Sequence, residues 1–131
     1  MKSCKGLNIY KEAHGLANEV HRLSLLLPKF ELYEEGSQIR HSSKAVSKAI
    51  VEGYGRRKHK GKFIRYLTFS QSECDETMEH LDLLYETRSF TDKDLYDKLK
   101  EKYIGLSKQI NKFIEWVNKN WNNFPSDEIN Q

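Results

Sequence analysis

The sequence predicts an all-α protein that folds as an antiparallel up-down-up-down four-helix bundle. Apolar residues recur three and four positions apart in four separate segments, which is the spacing of one face of an α-helix. Strand-like alternation is absent, and the chain contains only two prolines. With 131 residues the chain has the length of one domain, so we treat 1–131 as a single four-helix-bundle domain.

The first helix is predicted at about residues 6–27. Its apolar stripe is Ile9, Ala13, Leu16, Val20, Leu23 and Leu27. The helix is expected to stop at Pro28, because proline lacks the N–H that a helix needs and its ring clashes with the preceding turn. A loop through Tyr33 should follow.

The second helix is predicted at about residues 36–53. Its stripe is Ile39, Ser43, Val46, Ile50 and Gly53. Much of this surface is small, which permits a neighbouring helix to approach closely. We expect Gly53 or Gly55 to end the helix, since glycine tolerates the positive φ found at helix C-termini.

The third helix, predicted at about residues 61–88, has the clearest pattern. Its stripe keeps an unbroken four-three rhythm through Phe63, Leu67, Ser70, Cys74, Thr77, Leu81 and Leu84. The short link at 89–91 makes the fourth helix its antiparallel neighbour.

The fourth helix is predicted at about residues 92–121, followed by a frayed tail at 122–131. Thr91 and Asp94 approximate a capping box at its start. Its stripe is Leu99, Tyr103, Leu106, Ile110, Phe113 and Val117. Four such helices with short connections bury their stripes most economically against one another.

Composition indicates a soluble, cytoplasmic protein. Charged residues make up 31% of the chain, hydrophobic residues 37%, and the mean hydropathy is −0.79. No apolar run approaches the roughly 20 residues of a transmembrane helix, and the N-terminus lacks a signal-peptide pattern. Cys4 and Cys74 stand 70 positions apart outside any metal or redox motif, so we expect two reduced thiols.

The sequence gives no support for an enzyme, a metal site, a cofactor or a small-molecule substrate. Metal-binding bundles use Glu-x-x-His pairs, and no histidine here has a carboxylate three positions before it. Phosphate-binding, nucleophile-elbow and zinc-protease motifs are also missing. Cys74 occupies a seam position, where a buried packing role is expected rather than a nucleophilic one.

A basic patch is the strongest candidate site. It contains Arg56, Arg57, Lys58, Lys60, Lys62 and Arg65, and no acidic residue occurs from Gly53 to Ser72. Such a cluster attracts phosphate backbones because binding releases their counterions. Tyr54 and Tyr66 flank the patch and are expected to stack on unpaired bases. The alternative is a solvated loop that only keeps the protein soluble.

The third helix is strongly dipolar, because six carboxylates with no intervening cation follow the basic patch. They are Glu73, Asp75, Glu76, Glu79, Asp82 and Glu86. Copies of the chain can pair basic patch to acidic face, so we expect a homo-oligomer. Five apolar residues lie off the assigned seams, which favours the same prediction unless the seams are wider: Phe69, Leu83, Ile104, Ile114 and Trp116.

Three stretches resemble the 23S rRNA-intervening sequence protein family, also called simply four helix bundle proteins. They are Ser37-Gln38-Ile39-Arg40, Ile50-Val51-Glu52-Gly53-Tyr54-Gly55-Arg56-Arg57 and Lys62-Phe63-Ile64-Arg65-Tyr66-Leu67. The family carries a similar S-Q-I-R stretch, an E-G-Y-G-R turn and a K-x-F-x-R-F-L helix start, with Tyr66 here in place of the usual Phe. A weaker resemblance at residues 7–14 extends the match to about residues 5–120. Around residues 46–49 the chain lacks the proline and asparagine common in relatives.

This resemblance implies an antiparallel four-helix bundle that assembles as a homopentamer. The family is similar to the accessory protein of diversity-generating retroelements, which binds nucleic acid and a reverse transcriptase. Many of its genes lie within insertions in bacterial 23S rRNA genes, which makes RNA an expected partner. Our leading hypothesis is a non-enzymatic homo-oligomer that binds nucleic acid through the basic patch. The competing hypothesis is a protein-protein interaction scaffold that binds no nucleic acid.

Overall fold

A computed structural model describes residues 3–120, which form four long α-helices and two short 3-10 helices and contain no strand. The α-helices are α1 (Asn8–Ser24), α2 (Glu35–Tyr54), α3 (Lys60–Glu86) and α4 (Lys93–Asn120), and the 3-10 helices are Cys4–Gly6 and Lys29–Tyr33. The predicted tail at 122–131 and the predicted helix end at 121 lie outside the described residues. None of the described helices is long and apolar enough to cross a membrane.

Helix α3 packs antiparallel to both α2 and α4. Along each of these two pairs the residue number rises on one helix as it falls on the other, which is the register of antiparallel packing. The contacts are Glu35 with His80 and Val46 with Ser70 between α2 and α3, and Asp82 with Lys100 and Gln71 with Ser107 between α3 and α4. Glu19 contacts Lys102 and joins α1 to α4. The predicted four-helix bundle is therefore confirmed.

The predicted apolar stripes form one core. Every stripe residue named from the sequence is buried except Leu27 and Phe113, which are partly buried. Phe63 and Tyr103 are among the largest side chains with no exposed surface, and they lie on α3 and α4. Burial of such side chains contributes about 1.5–3 kcal/mol each, so these stripes account for most of the driving force that assembles the bundle.

Small and hydroxylated residues bring α2 and α3 close together, as their composition predicted. Ser70 Oγ donates a hydrogen bond to the carbonyl of Val46 at 2.8 Å, within the buried seam. A Cβ placed on Gly53 would lie 3.0 Å from Tyr66 Cβ and 3.3 Å from the carbonyl oxygen of Phe63. Residue 53 must therefore be small because the two backbones approach each other here.

The predicted glycine stop is confirmed in position, because Gly55 is the C-cap residue of α2, but the expected positive φ is wrong. Among the described residues no glycine has a positive φ, and Gly55 has φ −63°. Helix α2 ends at Tyr54, Gly55 follows in the right-handed α conformation, and His59 is extended directly before α3. Within residues 3–120 the residue with a positive φ is Arg88, at 68°, and α3 ends before it at Glu86, two residues before the predicted end.

The start of α4 is capped differently from the predicted Thr91–Asp94 capping box. Asp92 is the capping residue, because its Oδ1 accepts a hydrogen bond from the Leu95 N–H at 3.0 Å. An aspartate at this position satisfies a donor that the first turn leaves unpaired. The sequence pattern therefore placed the capping residue one position too early, at Thr91 instead of Asp92.

The first helix ends at Ser24 rather than at Pro28. Residues 25–27 form the tighter hydrogen bonds of a 3-10 turn, each N–H bonding the carbonyl three residues before it. The α conformation is also disfavoured at Leu27, because it precedes Pro28. The predicted loop through Tyr33 contains the second 3-10 helix. Arg40 holds it in place by donating to the carbonyl of Leu32 at 2.6 Å and to Ser24 Oγ at 3.1 Å.

Candidate nucleic-acid interface

The six predicted site residues lie together at one corner of the bundle. Arg56, Arg57 and Lys58 occupy the turn that joins α2 to α3, and Lys60, Lys62 and Arg65 lie in the first two turns of α3. Backbone hydrogen bonds shape the turn, from the Arg56 N–H to Gly53 at 2.9 Å and from the Arg57 N–H to Tyr54 at 3.2 Å. We call these six residues the basic corner.

Two arginines of the basic corner are held by aromatic rings and by backbone carbonyls. The guanidinium of Arg56 lies 4.7 Å from the centre of the Tyr66 ring and donates to the carbonyl of Glu52 at 2.9 Å. The guanidinium of Arg57 lies 4.3 Å from the centre of the Tyr54 ring and donates to its carbonyl at 2.8 Å. These contacts fix both guanidinium groups, so less conformational entropy is lost when they bind an anion.

The charge at this corner is positive. The first turn of α3 has no acidic residue. A carboxylate would be favourable there and a lysine is unfavourable, because the N-terminus of a helix carries a positive partial charge. Lys58 and Lys62 are exposed. Among the described residues, no carboxylate forms an ion pair with a lysine of the corner, with Arg56 or with Arg65. The charges of the three lysines, of Arg56 and of Arg65 are thus available to an anionic partner.

The aromatic residues at the site differ from the predicted ones. Tyr54 is only 5% exposed, so the expectation that it stacks on a base is wrong. The same burial raises the pKa of the Tyr54 hydroxyl. Tyr66 is half-buried and contacts Phe69, with ring centres 5.6 Å apart and planes at 85°. Phe69 is 44% exposed and lies 5.5 Å from the guanidinium of Arg65. Phe69 lies four residues after Arg65 and therefore on the same helix face, and this spacing was the sequence signal for the contact that was missed.

A groove between α2 and α3 adjoins these rings. It has a volume of about 320 Å³. Its lining residues are Ala45, Lys48, Ala49, Glu52, Tyr66, Phe69, Ser72 and Glu73. Burial raises the pKa of Glu73 to about 7, with further contributions from a hydrogen bond to Glu76 and from the charge of Glu76. One side of the groove is therefore aromatic and another carries carboxyl groups.

The acidic run on α3 is partly neutralised within the chain. Asp82 accepts hydrogen bonds from Lys100 at 2.8 Å and from Tyr96 at 2.6 Å. Burial tends to raise the pKa of Asp82, but these bonds outweigh it and leave the pKa lowered. Glu76 lies 3.8 Å from His80. Asp75, Glu79 and Glu86 remain exposed, so only part of the predicted acidic face is open to another molecule.

The five off-seam apolar residues divide into two groups. The first group is exposed and consists of Phe69 at 44%, Ile104 at 44% and Trp116 at 45%. Leu83 and Ile114 form the second group and are partly buried, because the buried face of each helix is wider than the stripe assigned from the sequence. Sequence reasoning missed a second exposed apolar set in the connection between α1 and α2. Its members are Leu25, Leu26, Phe30 and Tyr33, with exposed fractions of 59%, 85%, 66% and 86%.

The fold and the site define a four-helix bundle with a basic corner, and comparison with known proteins gives its family. The chain belongs to the 23S rRNA-intervening sequence protein family, whose model matches residues 5–112. This confirms the resemblance found in the sequence. The similarity to the accessory protein of diversity-generating retroelements stays a prediction.

A solved structure supports the architecture. The 1.70 Å crystal structure of a protein of unknown function from the S23 ribosomal protein family of Bacteroides thetaiotaomicron superposes with a TM-score of 0.73. The superposition covers 81% of this chain and 97% of that one, at 20% sequence identity. At that identity the likeness shows the fold alone. A search of curated proteins gave no match.

Proposed function

We propose that this protein is a non-enzymatic, cytoplasmic homo-oligomer that binds nucleic acid through the basic corner. The observation that carries the proposal is the geometry of that corner. Six cationic side chains lie on one turn and the helix start that follows it, and aromatic rings hold the guanidinium groups of Arg56, Arg57 and Arg65. Phosphate oxygens are the ligands that such a cluster of fixed and mobile cations binds best.

RNA is the nucleic acid we propose, with 23S rRNA as the first candidate. The family's name associates it with sequences that interrupt 23S rRNA. Arginines whose guanidinium groups lie over aromatic rings also suit RNA, because unpaired RNA bases stack on guanidinium planes and on aromatic side chains.

The exposed apolar residues support self-association, and we propose a pentamer. Ile104 and Trp116 of α4 each keep about half of their surface in water, at 44% and 45% exposure. Covering such side chains stabilises an assembly by about 25 cal/mol for each Å² of apolar surface removed from water. The exposed carboxylates of α3 supply charge for contacts between copies.

A protein-protein interaction scaffold is the second candidate function. The observation that favours it is the exposed apolar set between α1 and α2, which Arg40 and the buried Glu31 hold in a defined conformation. Glu31 is 5% exposed, accepts from the Glu35 N–H at 3.3 Å, and accepts from Ser89 Oγ at 2.5 Å. A rigid loop that presents apolar side chains is suited to contact another protein.

Fluorescence anisotropy with labelled RNA tests the first proposal. Six phosphate contacts predict a slope of about −4 for log affinity against log salt with a single strand. The variant Arg56→Glu/Arg57→Glu should lose most of this affinity and give a shallower slope. The control Lys98→Glu/Lys108→Glu makes the same charge change at two exposed lysines of α4 and should have a small effect.

Sedimentation of the same variants separates the two candidate functions. If the basic corner binds RNA, the arginine variant should assemble like the wild type and lose RNA binding. If the corner instead pairs with the acidic face of a neighbouring copy, assembly itself should fail. Absence of RNA binding by the wild type at about 50 mM salt would refute the nucleic-acid proposal and leave the scaffold.

A further inference from the structure

An aromatic and guanidinium row extends from the basic corner along α3. The guanidinium of Arg56 lies over Tyr66, Tyr66 contacts Phe69 edge to face, and the guanidinium of Arg65 lies over Phe69. Phe69 remains 44% exposed at the end of this row. A flat ring or guanidinium plane that water still reaches is a surface on which a nucleobase can stack.

The groove beside this row has room for one planar group. Ala45 and Ala49 of α2 line it and leave the space between the helices open, while Tyr66 and Phe69 line it from α3. Its volume of about 320 Å³ lies at the lower end of the range for small-molecule sites. A single nucleobase suits this size, whereas a folded helix of nucleic acid does not.

The charges divide the site into two parts. The groove carries the carboxyl groups of Glu52 and Glu73 together with Lys48 and Ser72, while the basic corner carries cations. Carboxylates repel phosphate, but they accept hydrogen bonds from the amino groups of bases. The corner therefore suits the phosphates of a nucleotide chain, and the groove suits a base with an exocyclic amino group.

We propose that the α2–α3 groove beside Tyr66 and Phe69 binds an unpaired, amino-bearing nucleobase of a single strand whose phosphates occupy the basic corner. This inference rests on the proposed function and names its ligand class. A duplex cannot use the groove, because its bases are stacked and paired. The site should therefore prefer single-stranded RNA to duplex RNA.

Anisotropy titrations with three labelled probes test the inference: a 12-nucleotide oligo(C), a 12-nucleotide oligo(U) and a 12-base-pair RNA duplex. Wild type should bind oligo(C) most tightly. Phe69→Ala should weaken oligo(C) binding about 5- to 150-fold, the effect of losing one stacked base, and change duplex binding less than about twofold. Val51→Ala is the matched control, because Val51 is 45% exposed and lies on α2 outside the residues that line the groove, and it should change neither.

Phe69→Trp provides a second readout that does not depend on a truncated side chain. It should keep oligo(C) affinity within about threefold, and its added fluorescence should be quenched when oligo(C) saturates the protein. Circular dichroism and sedimentation confirm that each variant folds and assembles like the wild type. A Phe69→Ala variant that fails either check is set aside, and the result for Phe69→Trp then decides the inference.

Each outcome separates this inference from the function on which it rests. Equal affinity for single strand and duplex, with no effect of Phe69→Ala and no quenching in Phe69→Trp, overturns the groove site. The proposed function would still stand if Arg56→Glu/Arg57→Glu abolished binding of all probes. If wild type bound none of the three probes at low salt, the proposed function and the inference would both fail.

Discussion

The close contact between α2 and α3 at Gly53 predicts opposite effects for one substitution made at two glycines. Gly53→Ala would place a Cβ 3.0 Å from Tyr66 Cβ and 3.3 Å from the carbonyl oxygen of Phe63. Neither is the mobile end of a side chain, so the helices must separate by a few tenths of an ångström. Gly15→Ala, within α1, meets no atom within 4 Å.

Both variants gain helix propensity, but only Gly53→Ala also introduces an unfavourable contact. Replacing glycine by alanine inside a helix stabilises it by about 1 kcal/mol. Overpacking a tight seam costs about 1–3 kcal/mol. We therefore expect Gly15→Ala to raise the free energy of unfolding by about 1 kcal/mol and Gly53→Ala to lower it by about 1 kcal/mol. The difference of about 2 kcal/mol isolates the α2–α3 contact, because the helix propensity cancels.

Urea unfolding followed by circular dichroism measures both values at one protein concentration, which must be fixed because self-association adds to stability. Gly105→Ala, in α4, is a second control, since its added Cβ also meets nothing within 4 Å. If Gly53→Ala stabilised the protein as much as either control, the close approach would not constrain residue 53. The reasoning about the seam would then be refuted.

Three further predictions concern titration, thiol reactivity and capping. Because the pKa of Glu73 is raised from 4.5 to about 7 by burial and by Glu76, its contribution to stability is present below pH 4.5 and is lost as the pH rises toward 7. Glu73→Gln should remove that loss and raise the free energy of unfolding at pH 8 by about 1 kcal/mol, a value kept small because water screens the partly exposed group. If the variant and the wild type showed the same dependence of stability on pH, the raised pKa of Glu73 would be contradicted. Burial raises the pKa of Cys74 to about 12, so at pH 8 this thiol should react with a disulfide reagent only in urea, and rapid reaction of the native protein would contradict its burial. Asp92→Ala should lower the free energy of unfolding by about 1 kcal/mol, and Thr91→Ala should leave it unchanged. Equal effects of the two substitutions would instead support the predicted Thr91–Asp94 capping box.

The interface could be predicted only in part from the sequence. Local composition located the basic corner, because all six cations fall within ten positions of one another. The aromatic partners could not be assigned in the same way. Tyr54 and Tyr66 look equivalent beside the patch, yet Tyr54 is 5% exposed and Tyr66 is half-buried with Phe69 beside it. Exposure depends on which helix covers each ring, and sequence spacing does not contain that information.

The sequence by itself determined the helices and the core, since the three-four spacing of apolar residues follows from the geometry of a single helix. It did not determine the helix ends, because an end depends on which neighbouring group supplies the missing hydrogen bond, as Asp92 and Arg88 show. Only the tertiary structure decided why residue 53 is glycine and where the groove lies. Both are properties of the space between α2 and α3, and that space exists only once the two helices pack together.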